Sequence, residues 1–150
     1  MPQSLAMLLT HIVFATKNRQ RFISADVQNS LYAYMSGILI RQGCRTIIMG
    51  GWEDHVHILC SLSKTIAPCK IVEEVKTGSS KWLKTRGPAL EGFHWQDGYG
   101  MISVSPGHIE SIRCYIRDQE QHHRRVSFQD EYRRLMEENG IAYDEAYVWD

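Results

Sequence analysis

The chain has 150 residues, 43% of them hydrophobic, which is enough for one core but not for two independent domains, so any active site must be built inside a single unit over 1–150. Seventeen Lys and Arg balance seventeen Asp and Glu, which excludes a uniformly basic nucleic-acid binder. The balance is uneven: from Phe128 onward seven acids face two bases, leaving fifteen bases against ten acids before it, a basic body of net +5 with an acidic tail.

In chain order, Leu8 to Ala15 (LLTHIVFA) reads as a first strand, followed by the polar, basic exit Lys17-Asn18-Arg19-Gln20-Arg21. Ser24 offers an N-cap to a first helix in which Val27, Leu31, Met35 and Ile38 recur at helical spacing up to Gly43. Arg45 to Met49 and His55 to Leu62 are strand-like runs, and Gly50 to Asp54 between them has the residues of an antiparallel turn. Pro68 opens a second helix with Ile71, Val72, Val75, Trp82 and Leu83 as its apolar stripe; Gly78-Ser79-Ser80 weakens its middle and Gly87-Pro88 stops it. Gly100 to Ser105 predicts a fourth strand. Pro106-Gly107 predicts a turn, and His108 to about His122 a third helix with Ile109, Ile112 and Ile116 on one side. The order β-α-β-β-α-β-α predicts an α+β fold of the ferredoxin-like, split βαβ kind, an antiparallel sheet with helices on one face plus a C-terminal helix. The core is expected over about 8–123. A tail over 124–150 holds a further helix, Phe128 to Glu138, and the aromatics Tyr143, Tyr147 and Trp149.

Cys44, Cys60, Cys69 and Cys114 show no C-x-x-C spacing, so they are expected to be reduced and the chain cytoplasmic. No run is long and apolar enough to span a membrane, and Met1 to Thr10 lacks the basic start of an export signal.

Two groups carry chemistry. In a strand, alternation sends His55 and His57 to one face and Val56 to the other, a pair of imidazoles fit for a metal, although two histidines on a sheet face also occur without one. Asp54 either orients an imidazole or finishes the turn. On the third helix, Tyr115 and Gln119 are four residues apart and share a face at the border of the apolar stripe, with His108, Ser111 and His122 alongside; packing alone also puts tyrosines there.

Together, Asp54-His55-Val56-His57-Ile58-Leu59, Lys76-Thr77-Gly78-Ser79-Ser80, Trp95-Gln96-Asp97-Gly98-Tyr99 with Ser103-Val104-Ser105, and Tyr115-Ile116-Arg117-Asp118-Gln119 resemble the HUH single-tyrosine transposases of TnpA-like insertion sequences and their REP-associated relatives. The resemblance runs from Leu8 to about His123, and the tail looks closer to the REP-associated branch. It implies Tyr115 as nucleophile, His55, His57 and Gln119 as ligands of Mg2+ or Mn2+, and cleavage and rejoining of single-stranded DNA with hairpin ends through a 5′-phosphotyrosine. By ligand softness the same ligands would also take zinc, tightly and unproductively. A homodimer is implied too, with the tyrosine helix of one subunit serving the histidines of the other. No Gly-rich phosphate loop is present, so no nucleotide cofactor is expected. Lys17, Arg19, Arg21, Lys76 and Lys81 are the candidate phosphate contacts, with Lys70, Lys84 and Arg86 nearby. Trp52, Trp82, Trp95 and Tyr99 are candidates for base stacking. The competing readings are a relaxase or replication-initiator nickase, usually longer, a domesticated endonuclease, a metal hydrolase that does not need Tyr115, and an RNA-recognition module, which would need aromatics where His55 and His57 stand.

Overall fold

Every residue of the first strand, β1 (Leu9–Ala15), is buried, which identifies it as a central strand with something packed on both of its faces. In the computed structural model, which describes residues 2–150, β1 pairs antiparallel with β3 (His55–Ser61) on one side and β4 (Gly100–Ser103) on the other. β2 (Arg45–Trp52) adds to β3, so the order is β2-β3-β1-β4 with every neighbour antiparallel. This order is compatible with the split βαβ arrangement.

The alternation of β1 and β3 divides the two faces. Ile12, Phe14, Val56, Ile58 and Cys60 point to one face and meet Leu31, Met35 and Leu39 of α1 (Ala25–Arg41) and Ile71, Val75 and Leu83 of α2 (Pro68–Leu83). This is the larger core, and each fully buried large apolar side chain in it contributes roughly 1.5–3 kcal/mol. The other face carries only a small apolar cluster, Val13 and Ala15 against Phe128, Tyr132 and Met136 of α5 (Phe128–Glu138). Leu9 and Leu59 are also buried on that face, beside His11, His55 and His57. α1 and α2 therefore cover one face, while the later helices α3 (Ile109–Arg117), α4 (Gln119–His123) and α5 lie over the other.

Several boundaries differ from the sequence reading. β2 continues through Gly50, Gly51 and Trp52, leaving Glu53-Asp54 as the turn, and β4 ends at Ser103 rather than Ser105. The third helix is two helices, because Asp118 leaves helical geometry (φ −92°, ψ 19°) between α3 and α4. The Gly78-Ser79 stretch that weakens α2 in isolation serves close packing: a Cβ on Gly78 would stand 2.7 Å from Ile38 Cδ1. Ser79 Oγ donates to the Val75 carbonyl at 2.6 Å and accepts from the Trp95 indole at 2.9 Å. Tertiary contact overrides propensity here. Cys44 and Cys60 are buried, Cys114 is half-buried and Cys69 is exposed, all free. Among the described residues no helix is long and apolar enough to cross a membrane.

Candidate active site and metal centre

Antiparallel register decides what surrounds the two histidines of β3. His57 lies opposite Val13 and Gly50, and His55 opposite Ala15 and Trp52, so each ring has a small residue, Gly50 or Ala15, on one side. Both are fully buried. Gly50 has a second role: a Cβ there would stand 2.6 Å from the Ile116 carbonyl oxygen, so its absence lets α3 lie directly on the sheet. That approach brings the Tyr115 ring to 5.7 Å from the His57 ring. It also buries Gln119, whose Oε1 is 3.1 Å from His55 Nε2. Tyr115, Gln119, His55 and His57, singled out in the sequence, therefore meet within one chain, whereas the resemblance implied that they are shared between subunits.

Three residues absent from the sequence reading of the site join them. Glu131 of α5, only 2% exposed, places Oε1 at 3.0 Å from His57 Nε2, 3.2 Å from His123 Nε2 and 3.6 Å from His55 Nε2. Its Oε2 accepts hydrogen bonds from the Tyr115 hydroxyl and, at 3.1 Å, from Gln119 Nε2. His123 of α4 stands with Nε2 2.7 Å from Gln119 Oε1. His11 of β1 stacks on His57, with Nε2 2.8 Å from His57 Nδ1. His11 was legible as the one imidazole in an apolar strand, on the alternation of Val13 and Ala15. Glu131 gave no local signal, since it meets His57 across 74 residues and its surroundings read as a solvated acidic tail.

Hydrogen-bond chemistry shows what the cluster is built for. Asp54 Oδ1, 2.7 Å from His55 Nδ1, and the Val126 carbonyl, 2.7 Å from His123 Nδ1, can only accept, so both Nδ1 atoms carry protons. In the neutral rings both Nε2 atoms then present lone pairs. They face Gln119 Oε1 and Glu131 Oε1, which are acceptors as well. Lone pairs converging at such distances call for a cation between them, either a second ring proton or a metal ion. One ligand atom from each of His55, His57, His123 and Glu131 lies within 4.8 Å of the other three, and the residues fit a divalent ion.

The electrostatics agree. Burial pushes the Glu131 carboxyl up, but His57, His123 and His55 together hold it well below the ordinary carboxylate range. Burial lowers His57 against the pull of Glu131. His123, although burial opposes it, is held above its ordinary value by Glu131 and the Val126 carbonyl. Burial, and then the charge and hydrogen bond of Glu131, raise the Tyr115 phenol far above its ordinary value. His122 Nε2 is 3.1 Å from Glu131 Oε2 but is not aligned for a hydrogen bond.

Two cavities open beside Tyr115. One, about 560 Å³, is lined by Gln121, Arg124 and Arg125; the other, about 310 Å³, by His11, Ser111 and Arg134. The basic residues singled out in the sequence are spread elsewhere. Lys76 donates to the carbonyls of Gln96, Asp97 and Gly98 at 2.7, 3.1 and 2.6 Å, while Lys81 is exposed on α2, across the sheet from the site. Lys17 is half-buried, the Arg19 guanidinium lies 5.7 Å from the centre of the Trp149 ring, and Arg21 pairs with Glu53 at 3.6 Å. Of the aromatics, Trp95 is core, Trp82 stacks on Tyr34, and Trp52 and Tyr99 are half-buried.

The sequence profile of the family described as "Transposase IS200 like" matches residues 4–119. The ISDra2 transposase TnpA of Deinococcus radiodurans is 26% identical over 114 residues, 73% of this chain and 81% of that one. A crystal structure from Deinococcus radiodurans R1, of a protein assigned as a transposase, has TM-score 0.62 at 22% identity and covers 79% of this chain and 98% of its own. A REP-associated tyrosine transposase bound to a REP hairpin has TM-score 0.61 at 11% identity, over 84% of this chain and 76% of its own.

Proposed function

The chain belongs to the IS200-like transposase family, and from that premise we propose that it cleaves and rejoins single-stranded DNA at hairpin-bearing ends, with Tyr115 as nucleophile. The observation that carries this reading is the meeting of Tyr115 with His57, at 5.7 Å between rings, and of Gln119 with His55 at 3.1 Å. In the proposed reaction the Tyr115 oxygen bonds to phosphorus as the bond to the 3′ oxygen breaks, giving a 5′-phosphotyrosine and a free 3′-OH. Rejoining is the reverse attack by a 3′-OH, and the retained phosphodiester bond energy makes a nucleotide cofactor unnecessary. His55, His57 and Gln119 would hold Mg2+ or Mn2+, which when bound polarises a non-bridging phosphate oxygen. The protein orients the nucleophile: α3 is seated by Gly50, and Gln119 Nε2 donates to the Tyr115 carbonyl at 3.4 Å.

The likeness to a hairpin-bound structure supports hairpin DNA as the partner. Lys17, Arg19, Arg21, Lys76 and Lys81 are the proposed phosphate contacts. An exposed pair such as Arg21 with Glu53 is worth about 0–1 kcal/mol, so a phosphate readily displaces the carboxylate. A homodimer is the proposed assembly, supported by the exposed apolar residues Leu5, Met7 and Leu8 that lead into β1. The test is a hairpin oligonucleotide incubated with Mg2+ or Mn2+. A denaturant-resistant DNA adduct is expected on the wild type and none on Tyr115→Phe; an adduct on the Phe variant rules Tyr115 out.

A further inference from the structure

We propose that this chain closes its metal site with its own tail: His123 and Glu131 join His55 and His57 in a four-donor shell selective for zinc-class ions, a resting form in which Glu131 also holds Tyr115. Both added donors lie beyond residues 4–119, the stretch shared with the family. The closure therefore uses residues that follow the stretch matched by the family profile.

The three edges at the carboxylate fit the shell: Glu131 Oε1 is 3.0, 3.2 and 3.6 Å from the three imidazole nitrogens, and the edge of a zinc tetrahedron with bonds near 2.0–2.1 Å is about 3.4 Å. The four residues' ligand atoms all lie within 4.8 Å of one another, so binding draws the imidazoles inward. Orientation fits as well, since each ring is braced at its other nitrogen by Asp54, Val126 or His11. Donor chemistry selects the ion. Three imidazoles and one carboxylate oxygen suit zinc and its transition-metal neighbours, whereas magnesium takes oxygen ligands and keeps its waters.

A shell of four protein donors leaves no position for a phosphate oxygen, which is the mark of a closed rather than a working site. Strand cleavage at this centre then requires the Glu131 carboxylate to withdraw. Its two oxygens act together: Oε1 fills the metal position and Oε2 accepts the Tyr115 hydrogen bond, so one movement of α5 frees the ion and the nucleophile. Gln119 Oε1, 3.1 Å from His55 Nε2, is within reach to take the vacated place.

The shell is tested without DNA, so its failure leaves the strand-cleavage reading standing, and loss of the tyrosine adduct leaves the shell standing. Co2+ titrated into the full chain is expected to give the intense visible absorption of four-coordinate Co2+, displaced by Zn2+ but unmoved by excess Mg2+. Glu131→Gln and His123→Ala should each abolish that band and weaken Zn2+ binding by about tenfold or more, with unchanged circular dichroism. Weak, six-coordinate Co2+ absorption in the wild type, which needs no variant to fold, overturns the shell; so does a folded Glu131→Gln that binds Zn2+ as the wild type does. In a Mn2+-supported cleavage assay Zn2+ should inhibit the wild type and Glu131→Gln should relieve that inhibition. Cleavage indifferent to Zn2+ overturns the resting state.

Discussion

Each imidazole facing the centre is held from behind, and the bond behind it decides which nitrogen offers a lone pair in front. For His57 the partner is His11, with 2.8 Å between the ring nitrogens. Burial, and then the neighbouring His57, pull His11 down to about pKa 3, so it stays neutral and able to accept from His57 Nδ1. His11→Phe retains a ring of similar size but loses the acceptor. We expect metal affinity to fall about 10–100-fold, the range for contacts that orient a ligand, with partial recovery in His11→Gln, whose amide can accept at a similar reach. Zn2+ titration of the two variants checks this, and undiminished binding by the Phe variant would reduce His11 to packing.

Where α3 meets β2, one hydrogen atom matters. Gly50 stands opposite His57, and an added methyl would meet the Ile116 carbonyl at 2.6 Å and its Cγ2 at 2.8 Å. Backbone cannot move aside as a flexible side-chain tip can. Gly50→Ala should therefore cost about 1–3 kcal/mol, as overpacking does, and slow DNA-adduct formation by lifting Tyr115 off the site. Gly37 makes the contrast: it lies inside α1, and a methyl added there would meet nothing within 4 Å. Gly37→Ala should stabilise by about 0.4–1 kcal/mol and leave adduct formation alone. Urea denaturation and the adduct assay on both variants separate close approach from mere glycine content.

Across the whole molecule, the sheet separates stability from chemistry: the α1–α2 face holds the large core and the opposite face the polar centre under α3, α4 and α5. The tail is fastened far from its ligand. Trp149 lies between Arg133 and Arg19, 5.1 and 5.7 Å from its ring, and its indole donates to Glu145 at 3.1 Å. Gly98 N donates to the Asp150 carbonyl at 2.9 Å, and Gln96 ties the same end to β1 by accepting from Ala15 N at 2.7 Å. Trp149→Ala should loosen α5, raising hydrogen exchange there more than in α1, and lower Zn2+ affinity through Glu131; exposed cation–π contacts alone are worth about 0.5–1 kcal/mol each. Because each chain seats Tyr115 on its own histidines, mixing His57→Ala with Tyr115→Phe protein should not restore cleavage. Restored activity would mean sites shared between subunits.

Local periodicity was sufficient to pair His55 with His57, to bring Tyr115 and Gln119 to the same side although they fall in α3 and α4, and to lay out the apolar stripes of α1 and α2, because strand and helix repeats depend only on near neighbours. The same repeats ran α3 into α4, since nothing in their spacing marks Asp118 as a break. Which face of the sheet the later helices cover, and that His11, His123 and Glu131 converge on the histidine pair, only the tertiary structure decided. The His11–His57 contact spans 46 residues and the His57–Glu131 contact 74. A carboxylate in an acidic helix looks like any solvated charge until packing removes it from water and surrounds it with imidazoles.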